Sequence, residues 1–347
     1  MLSLDEILQG IRGLDEEQKN VVKAELLSRF PRHEGNFDTF LADERFGKDG
    51  CVCPHCGGDH IRRNGHTSDG RQRFLCISCG RTFGSRCRTV LAGTHKEIYV
   101  WERYLECMFE GYSLRRSAKE CGISLTAAFS WRHKILDALS SCLKAVRLGG
   151  VVEADETYLD ISYKGNHSRS TSFSMPRESR ARGHQLHQSG ISKELICVSC
   201  AISHDGRSAA SAITLGRASE TEMEAFFSGK LEGGTVLCTD HEPVYRAYAH
   251  KVGMRHIRLE SHEVREGFQI ERINAYHSRL KSFLSRFKGV STKYLNNYLA
   301  WNTVRDMLSL RGQEEEAPLL REVLLARNDT TQRNMRERPP VPLCAVE

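Results

Sequence analysis

No apolar run in this sequence approaches the roughly 18–20 residues that a membrane-spanning helix needs. The opening Met1-Leu-Ser-Leu-Asp-Glu6 has neither the basic stretch nor the apolar stretch of a secretory signal. A surplus of one charge sign is nearly absent as well. The 50 Lys and Arg against 44 Asp and Glu leave +6, a mild basic bias compatible with a polyanionic partner. The 13 cysteines are odd in number and scattered, which argues against a disulfide framework and for thiols and metal ligands in a reducing cytosol. With 347 residues the chain has room for two or three domains.

Four of those cysteines carry the strongest local signal. Cys53-Pro-His-Cys56 and Cys76-Ile-Ser-Cys79 are separated by 19 residues. Each Cys-x-x-Cys aims two thiolates at one point, and two such knuckles complete a tetrahedral zinc site. Between them Ile61–His66 and Arg71–Leu75 read as two strands of a hairpin with Asp69-Gly70 at the turn, so residues 46–92 are expected to form a zinc ribbon. Its basic residues, Arg62, Arg63, Arg71 and Arg73 among them, suit phosphate contact. Ahead of it, Leu4, Ile7, Leu8 and Ile11 fall at helical spacing, which makes residues 1–45 a helical appendage.

Residues 93–147 read as helices. Gly111-Tyr112 breaks the first, Ser113 caps a short second one, Gly122 makes a turn, and Ser124 caps a third. Helix, glycine turn, helix is the helix-turn-helix pattern, with Ser124, Thr126, Ser130, Arg132, His133 and Lys134 as candidate DNA contacts. A plain three-helix bundle shows the same spacing.

Past Gly149-Gly150 the chain changes character. Val151-Val-Glu-Ala-Asp-Glu-Thr-Tyr158 reads as a buried strand carrying Asp155, and a carboxylate there calls for a partner such as a divalent cation. A long basic segment follows at 160–193, including Arg180 and Arg182, and is expected to grip a nucleic-acid strand. Leu195–Ile202 and Ser208–Leu215 form a strand pair. Cys197 and Cys200 within it fall on opposite faces and read as core. A helix, a strand ending at Asp240, a second helix opened by Pro243 and a strand at 255–259 come next. A basic amphipathic helix at 270–287 and another at 294–310 complete the pattern, and the polar residues 312–347 are expected to be disordered.

This order implies a mixed sheet flanked by helices, with Asp155 and Asp240 on neighbouring strands. Two carboxylates sharing a site repel and invite divalent metal, and two metals about 4 Å apart support phosphodiester chemistry.

These residues resemble the zinc-ribbon DDE-type transposases of bacterial insertion sequences. The ribbon end Cys76-x-x-Cys79-Gly-Arg-Thr-Phe83, the strand Asp155-Glu-Thr-Tyr158 and Lys164-Gly-Asn166 carry the likeness. So do Gly190-Ile-Ser-Lys193, Thr239-Asp240, Asn274-Ala-Tyr-His-Ser-Arg-Leu-Lys281 and the run from Phe287 to Tyr298. The resemblance covers residues 50–305. It implies a multidomain α+β chain in which a ribonuclease-H-like catalytic domain occupies 148–311, with Mg2+ or Mn2+ at its centre. It also implies binding of double-stranded DNA, both terminal inverted repeats and target, by a homo-oligomer on DNA. The expected setting is cytoplasmic and nucleoid-associated, without membrane.

One departure stands out. Where most such enzymes use a glutamate as third metal ligand, this helix offers none at the matching place. The resemblance includes a subset with Asn there and a Lys seven residues on, which here are Asn274 and Lys281. An amide oxygen can ligate Mg2+. His277, softer and better suited to Mn2+, and Glu271 are the other candidates. The competing reading is a DNA-binding protein derived from a transposase whose catalytic domain is inactive. A small-molecule hydrolase would leave the ribbon and basic helices idle.

Overall fold

The computed structural model describes residues 52–68, 70–166, 174, 190–311, 323–324 and 326–341. The helices expected at 1–45, Asp69 and the arm residues Arg180 and Arg182 lie outside the described residues. The chain divides into two compact units, Met1–Cys87 and Arg88–Glu347.

In the first unit β1 (Ile61–His66) and β2 (Gln72–Cys76) form the expected antiparallel hairpin, and β3 (Thr82–Gly84) adds a third strand beside β2. A three-residue strand is too short to leave a period-two signature. Gly70 takes φ +81°, and the Thr67 hydroxyl accepts the Arg71 amide at 3.0 Å to close the turn. Apolar support is small. Cys53, Cys76 and Phe83 are buried, with Phe74 stacked on Phe83 at 5.7 Å between centroids.

The second unit begins with three helices. In α1 (Ile98–Phe109) Trp101 stacks on Trp131 at 3.7 Å. The Ser113 side chain accepts the Arg116 amide to cap α2 (Leu114–Glu120), and Ser124 accepts that of Ala127 to cap α3 (Leu125–Leu143). Gly122, at φ +57°, turns the chain between them.

A five-stranded sheet follows, built from β4 (Val151–Asp160), β5 (Leu195–Ser203), β6 (Ser208–Leu215), β7 (Val236–Thr239) and β8 (Arg255–Arg258). Its order is β6-β5-β4-β7-β8. The first three pair antiparallel, whereas β7 and β8 join in parallel through α4 (Glu220–Phe227) and α5 (Pro243–Val252). Strands near-continuously buried on both faces, such as β5, need helices on each side. One face packs Val152, Ala154 and Cys197 on Met223, Phe226 and Tyr245 of α4 and α5. The other packs Val198, Cys200 and Cys238 on α6 (Glu271–Ser285) and α7 (Leu295–Arg311) through Ile273, Tyr276, Leu280 and Leu299. Cys197 and Cys200 therefore sit in opposite cores, as their odd spacing requires.

Segments far apart in sequence close around this frame. The Ser162 amide donates to Thr292 Oγ1 and the Thr292 amide returns to the Ser162 carbonyl, both at 2.8 Å. The loop carrying Lys164-Gly-Asn166 thus meets the loop after α6, and Lys293 Nζ donates to Asn166 Oδ1 at 3.3 Å.

The expectation of a disordered tail is corrected for residues 326–341. They include α8 (Gln332–Glu337), with Met335 buried. Asn328 Nδ2 donates to the Lys134 carbonyl at 2.7 Å, and Tyr294 Oη donates to the Met335 carbonyl at 3.2 Å. Arg88 pairs with Asp329, and Arg338 with Asp137 of α3. These polar residues order by completing hydrogen bonds for groups on distant helices, which composition alone does not reveal. Asp137 is the focus, because Asn297 Nδ2 (2.8 Å), the Thr330 hydroxyl and Arg338 all donate to its carboxylate. Asp137→Ala is expected to cost about 3 kcal/mol, since it strands a largely buried cation and two donors. Urea unfolding of the full chain measures this, and a loss well under 1 kcal/mol would show that the tail does not dock there.

Candidate metal centres and active site

Among the described residues two sites emerge, one in each unit. In the first, the Sγ atoms of Cys53, Cys56, Cys76 and Cys79 all lie within 4.8 Å of one another. The Cys53–Cys79 and Cys56–Cys76 separations are 3.7 and 3.6 Å. A tetrahedron with zinc–sulfur bonds of about 2.3 Å has edges of about 3.8 Å. The donor set therefore fits zinc in chemistry and dimension. Backbone amides aim at the sulfurs: His55 N donates to Cys53 Sγ at 3.4 Å and Gly58 N to Cys56 Sγ at 3.5 Å. Gly57 and Gly80, at φ +77° and +69°, let each knuckle turn this way. Cys87 Sγ lies 3.7 Å from His55 Nε2, outside the four-sulfur cluster.

The second site is built on β4. Glu153 is paired with Cys238 of β7 and Asp155 with Cys200 of β5. Paired residues share a face of the sheet, so Glu153 and Asp155 both point to the α6 side, where Cys200 and Cys238 are packed. The β4–β7 register, continued two residues past its last pair, brings Asp155 beside Asp240 where β7 ends. Asp155 Oδ1 accepts the Glu156 amide at 2.8 Å, and Asp240 Oδ1 accepts the Glu242 amide at 3.0 Å, just before Pro243 opens α5.

Burial, and then the neighbouring Asp240 charge, push the Asp155 carboxyl up to about 6; Lys281 pulls it partly back. A divalent cation would relieve both effects. On α6, His277 Nδ1 lies 3.7 Å from Asp155 Oδ2, and its own titration is driven down to about 4 by burial and by Lys281. The imidazole is neutral at physiological pH, and its buried Nε2 has no hydrogen-bond partner among the described residues. Asn274, one turn earlier, is exposed at the helix surface. The oxygens of Asp155, Asp240 and Asn274 are hard donors of the kind Mg2+ takes; His277 is the softer neighbour.

Two carboxylates beside Asp155 are not marked by the sequence pattern. Glu156 points to the opposite face, where burial raises it to about 7 beside Tyr245. Glu153 is fully buried, and its Oε2 accepts the Ile273 amide in the first turn of α6 at 3.1 Å. The signal that could have found Glu153 is its spacing, two residues ahead of Asp155 and so on the same face of the strand.

The nucleic-acid candidates separate by exposure. Arg62 and Arg63 are exposed on β1, while Arg71 and Arg73 are half-buried. Arg132 and His133 are corrected as base contacts, being 2% and 1% exposed. Arg132 donates to the Tyr112 carbonyl at 3.0 Å, and the His133 ring packs 4.0 Å from that of Tyr294. Burial drives the His133 imidazole down to about 3. Lys134 is half-buried and donates to the Ala92 carbonyl at 3.1 Å. Helix α3 is buried along most of its length, whereas its first turn, with Ser124 and Thr126, is exposed, as are Arg115, Arg116 and Lys119 of α2.

With the sheet, its paired aspartates and the crossing helix in place, residues 147–303 match the ISXO2-like transposase domain family, a likeness consistent with the DDE-type transposases of insertion sequences. An uncharacterized protein in transposable element ISH50 of Halobacterium salinarum (strain ATCC 700922 / JCM 11081 / NRC-1) is 27% identical over 138 residues. That match takes in 39% of this chain and just under half, 46%, of the relative. Two solved structures also align. The Mos1 transposase paired-end complex with left transposon end has a TM-score of 0.25 at 10% identity over 68% of this chain and 82% of its own. The Mos1 strand transfer complex has 0.24 at 10% identity over 69% and 82%. Among the described residues, no helix is long and apolar enough to cross a membrane.

The four-sulfur site yields a direct test. Purified protein is expected to hold one zinc per chain, and Cys76→Ser to lose it. The ribbon should then unfold, because structural zinc contributes on the order of 10 kcal/mol in modules this small. Elemental analysis and proteolysis of residues 52–87 check both outcomes.

Proposed function

We propose that this chain is an insertion-sequence transposase that binds terminal inverted repeats and catalyses metal-dependent DNA strand cleavage and strand transfer. The observation that carries the reading is the convergence of Asp155 and Asp240 where β4 and β7 pair. A helix bearing Asn274, His277 and Lys281 crosses the same face, within a transposase-family segment. The order β6-β5-β4-β7-β8, three antiparallel strands followed by two parallel ones, supports a ribonuclease-H-like catalytic domain. The ribbon and the α2–α3 pair, read as a helix-turn-helix, are its end-binding parts. Arg62, Arg63, Arg115, Arg116 and Lys119 are available to phosphates, and Ser124 and Thr126 to base edges. Two ends must be joined in one event, which fits a homo-oligomer assembled on DNA.

Cleavage adds water across a phosphodiester and frees a 3′-hydroxyl, which then displaces an oxygen from a target-strand phosphorus. Asp155, Asp240 and Asn274 would hold divalent metal, which when bound activates the attacking oxygen and stabilises the departing one. The rest falls to the chain itself. Lys281, seven residues beyond Asn274 and thus two turns along one face, offers its ammonium to a phosphate near the cut. Buried neutral His277 walls the carboxylates on the α6 side and adds no charge to compete with a cation.

The test is nicking of a labelled terminal-repeat duplex in Mg2+ and in Mn2+. Asp155→Asn and Asp240→Asn are each expected to lower cleavage by roughly a thousandfold or more while leaving duplex binding intact. Asn274→Ala should cost more than His277→Ala; the reverse order would make the imidazole the third ligand. A parent chain that binds repeats but cleaves in neither metal would establish the DNA-binding-only alternative.

The pH response follows from Asp155. Its carboxyl, raised from 3.8 to about 6, must lose a proton to accept a cation. The Mg2+ concentration for half-maximal nicking should therefore rise by about tenfold for each pH unit below that value. Without metal the same shift stabilises the fold fully below 3.8, and this contribution is lost as the pH rises through about 6. Mg2+ should consequently raise the melting temperature more at pH 7.5 than at pH 5.5.

A further inference from the structure

A fully buried carboxylate is costly unless its oxygens are satisfied, and Glu153 is 0% exposed. The start of α6 satisfies one of its two oxygens. The cap position of that helix, Ile270, provides no side-chain acceptor. Its first-turn amides would otherwise lack partners. Glu153 Oε2 accepts the Ile273 amide at 3.1 Å, so a strand residue caps a helix 120 positions away in sequence. His204 Nε2 lies 3.3 Å from the other oxygen, Oε1. The carboxylate also faces the positive end of the helix dipole.

The placement of this contact links it to the catalytic centre. Glu153 and Asp155 lie two residues apart on one face of β4, an advance of about 6.7 Å. Ile273 and His277 lie four residues apart on α6, an advance of about 6 Å. The 3.1 Å contact of Glu153 with Ile273 and the 3.7 Å contact of Asp155 with His277 are therefore two matching rungs between one strand and one helix. A one-residue slip of α6 would turn it by about 100° and carry His277 away from Asp155. Asn274 directly follows the tethered Ile273.

We propose that Glu153 is a positioning residue: by capping α6 from β4 it fixes the register of the helix against the strand, and so the place of His277 against Asp155 and of Asn274 one turn before it. The proposal rests on the transposase reading for the purpose of the tether, whereas the tether itself is testable without catalysis.

Three variants of the full chain separate acceptor, charge and reach. Glu153→Gln keeps an acceptor oxygen at full length. Glu153→Asp keeps the charge but falls short by one methylene. Glu153→Ala removes both. Hydrogen exchange of the amides at 272–274 is expected to remain slow in the parent and in Glu153→Gln, and to accelerate at least tenfold in the other two. The Mg2+ concentration for half-maximal nicking should rise about 10- to 100-fold in Glu153→Asp and Glu153→Ala, the range seen when a residue orienting a metal ligand is lost. Repeat-duplex affinity should stay within about twofold, and Glu153→Gln should restore the Mg2+ response to within a few fold of the parent.

Faster exchange with an unchanged Mg2+ response would reduce Glu153 to a structural cap and overturn the proposal. So would parental behaviour of Glu153→Asp alongside a defective Glu153→Gln, because charge and not reach would then matter. If Glu153→Ala does not fold, the Asp and Gln variants alone decide between the same outcomes. A parent inactive in both Mg2+ and Mn2+ overturns the functional reading and the positioning role with it; the exchange data then report on the tether alone.

Discussion

Two like charges held side by side in a half-dry site repel, and the second unit is arranged to hold them there. Parallel pairing of β4 and β7 aligns Asp155 with Asp240, and hydrogen bonds within the sheet prevent the strands from sliding apart to relieve the repulsion. Each carboxylate is also pinned locally by a backbone amide, that of Glu156 or Glu242. The high titration of Asp155 is the electrostatic record of this constraint, with desolvation as the larger cause and Asp240 as the second. A pair of carboxylates whose repulsion a cation relieves is what metal-dependent chemistry requires.

The constraint propagates outward through α6. That helix is tied to β4 by Glu153 at its start and lies against Asp155 at its second turn. It is joined to α7 by the Tyr276–Thr303 hydroxyl pair at 3.0 Å and the Arg279–Asp306 ion pair. Helix α7 in turn packs on α3, where His133 and Arg132 meet Tyr294 and Trp301, and Asn297 donates to Asp137. The segment after residue 326 completes the same cluster through Asn328 and Arg338. Polar contacts thus join the face that carries Asp155 to the three-helix region within one compact unit. This explains why Arg132 and His133 cannot serve as DNA contacts: both are committed to that internal cluster.

The first unit obeys a different rule. Among the described residues the apolar core of the ribbon is three buried residues with a few partly buried neighbours, too little to order residues 52–87 unaided. The four thiols supply what the core lacks, and the hairpin displays exposed Arg62 and Arg63 with no burial of their charge. Local covalent spacing and local turns are sufficient there, whereas the sheet unit depends on pairings across a hundred residues or more.

That difference separates what was legible in the sequence from what was not. The two Cys-x-x-Cys pairs, the hairpin between them, the caps at Ser113 and Ser124, the strand around Asp155 and the opposite faces of Cys197 and Cys200 were all readable, because each is set by spacing within a few residues. The adjacency of Asp155 and Asp240 followed from strand order. Three features were not readable: the burial of Arg132 and His133, the docking of the polar tail, and the capping of α6 by Glu153. A helical period marks an apolar face, but it does not say that a long cationic side chain will be covered by another helix. Nor does it pair a strand carboxylate with amides 120 residues away. Those choices belong to tertiary packing, since a buried polar group has no favourable place until the fold brings its partner to it.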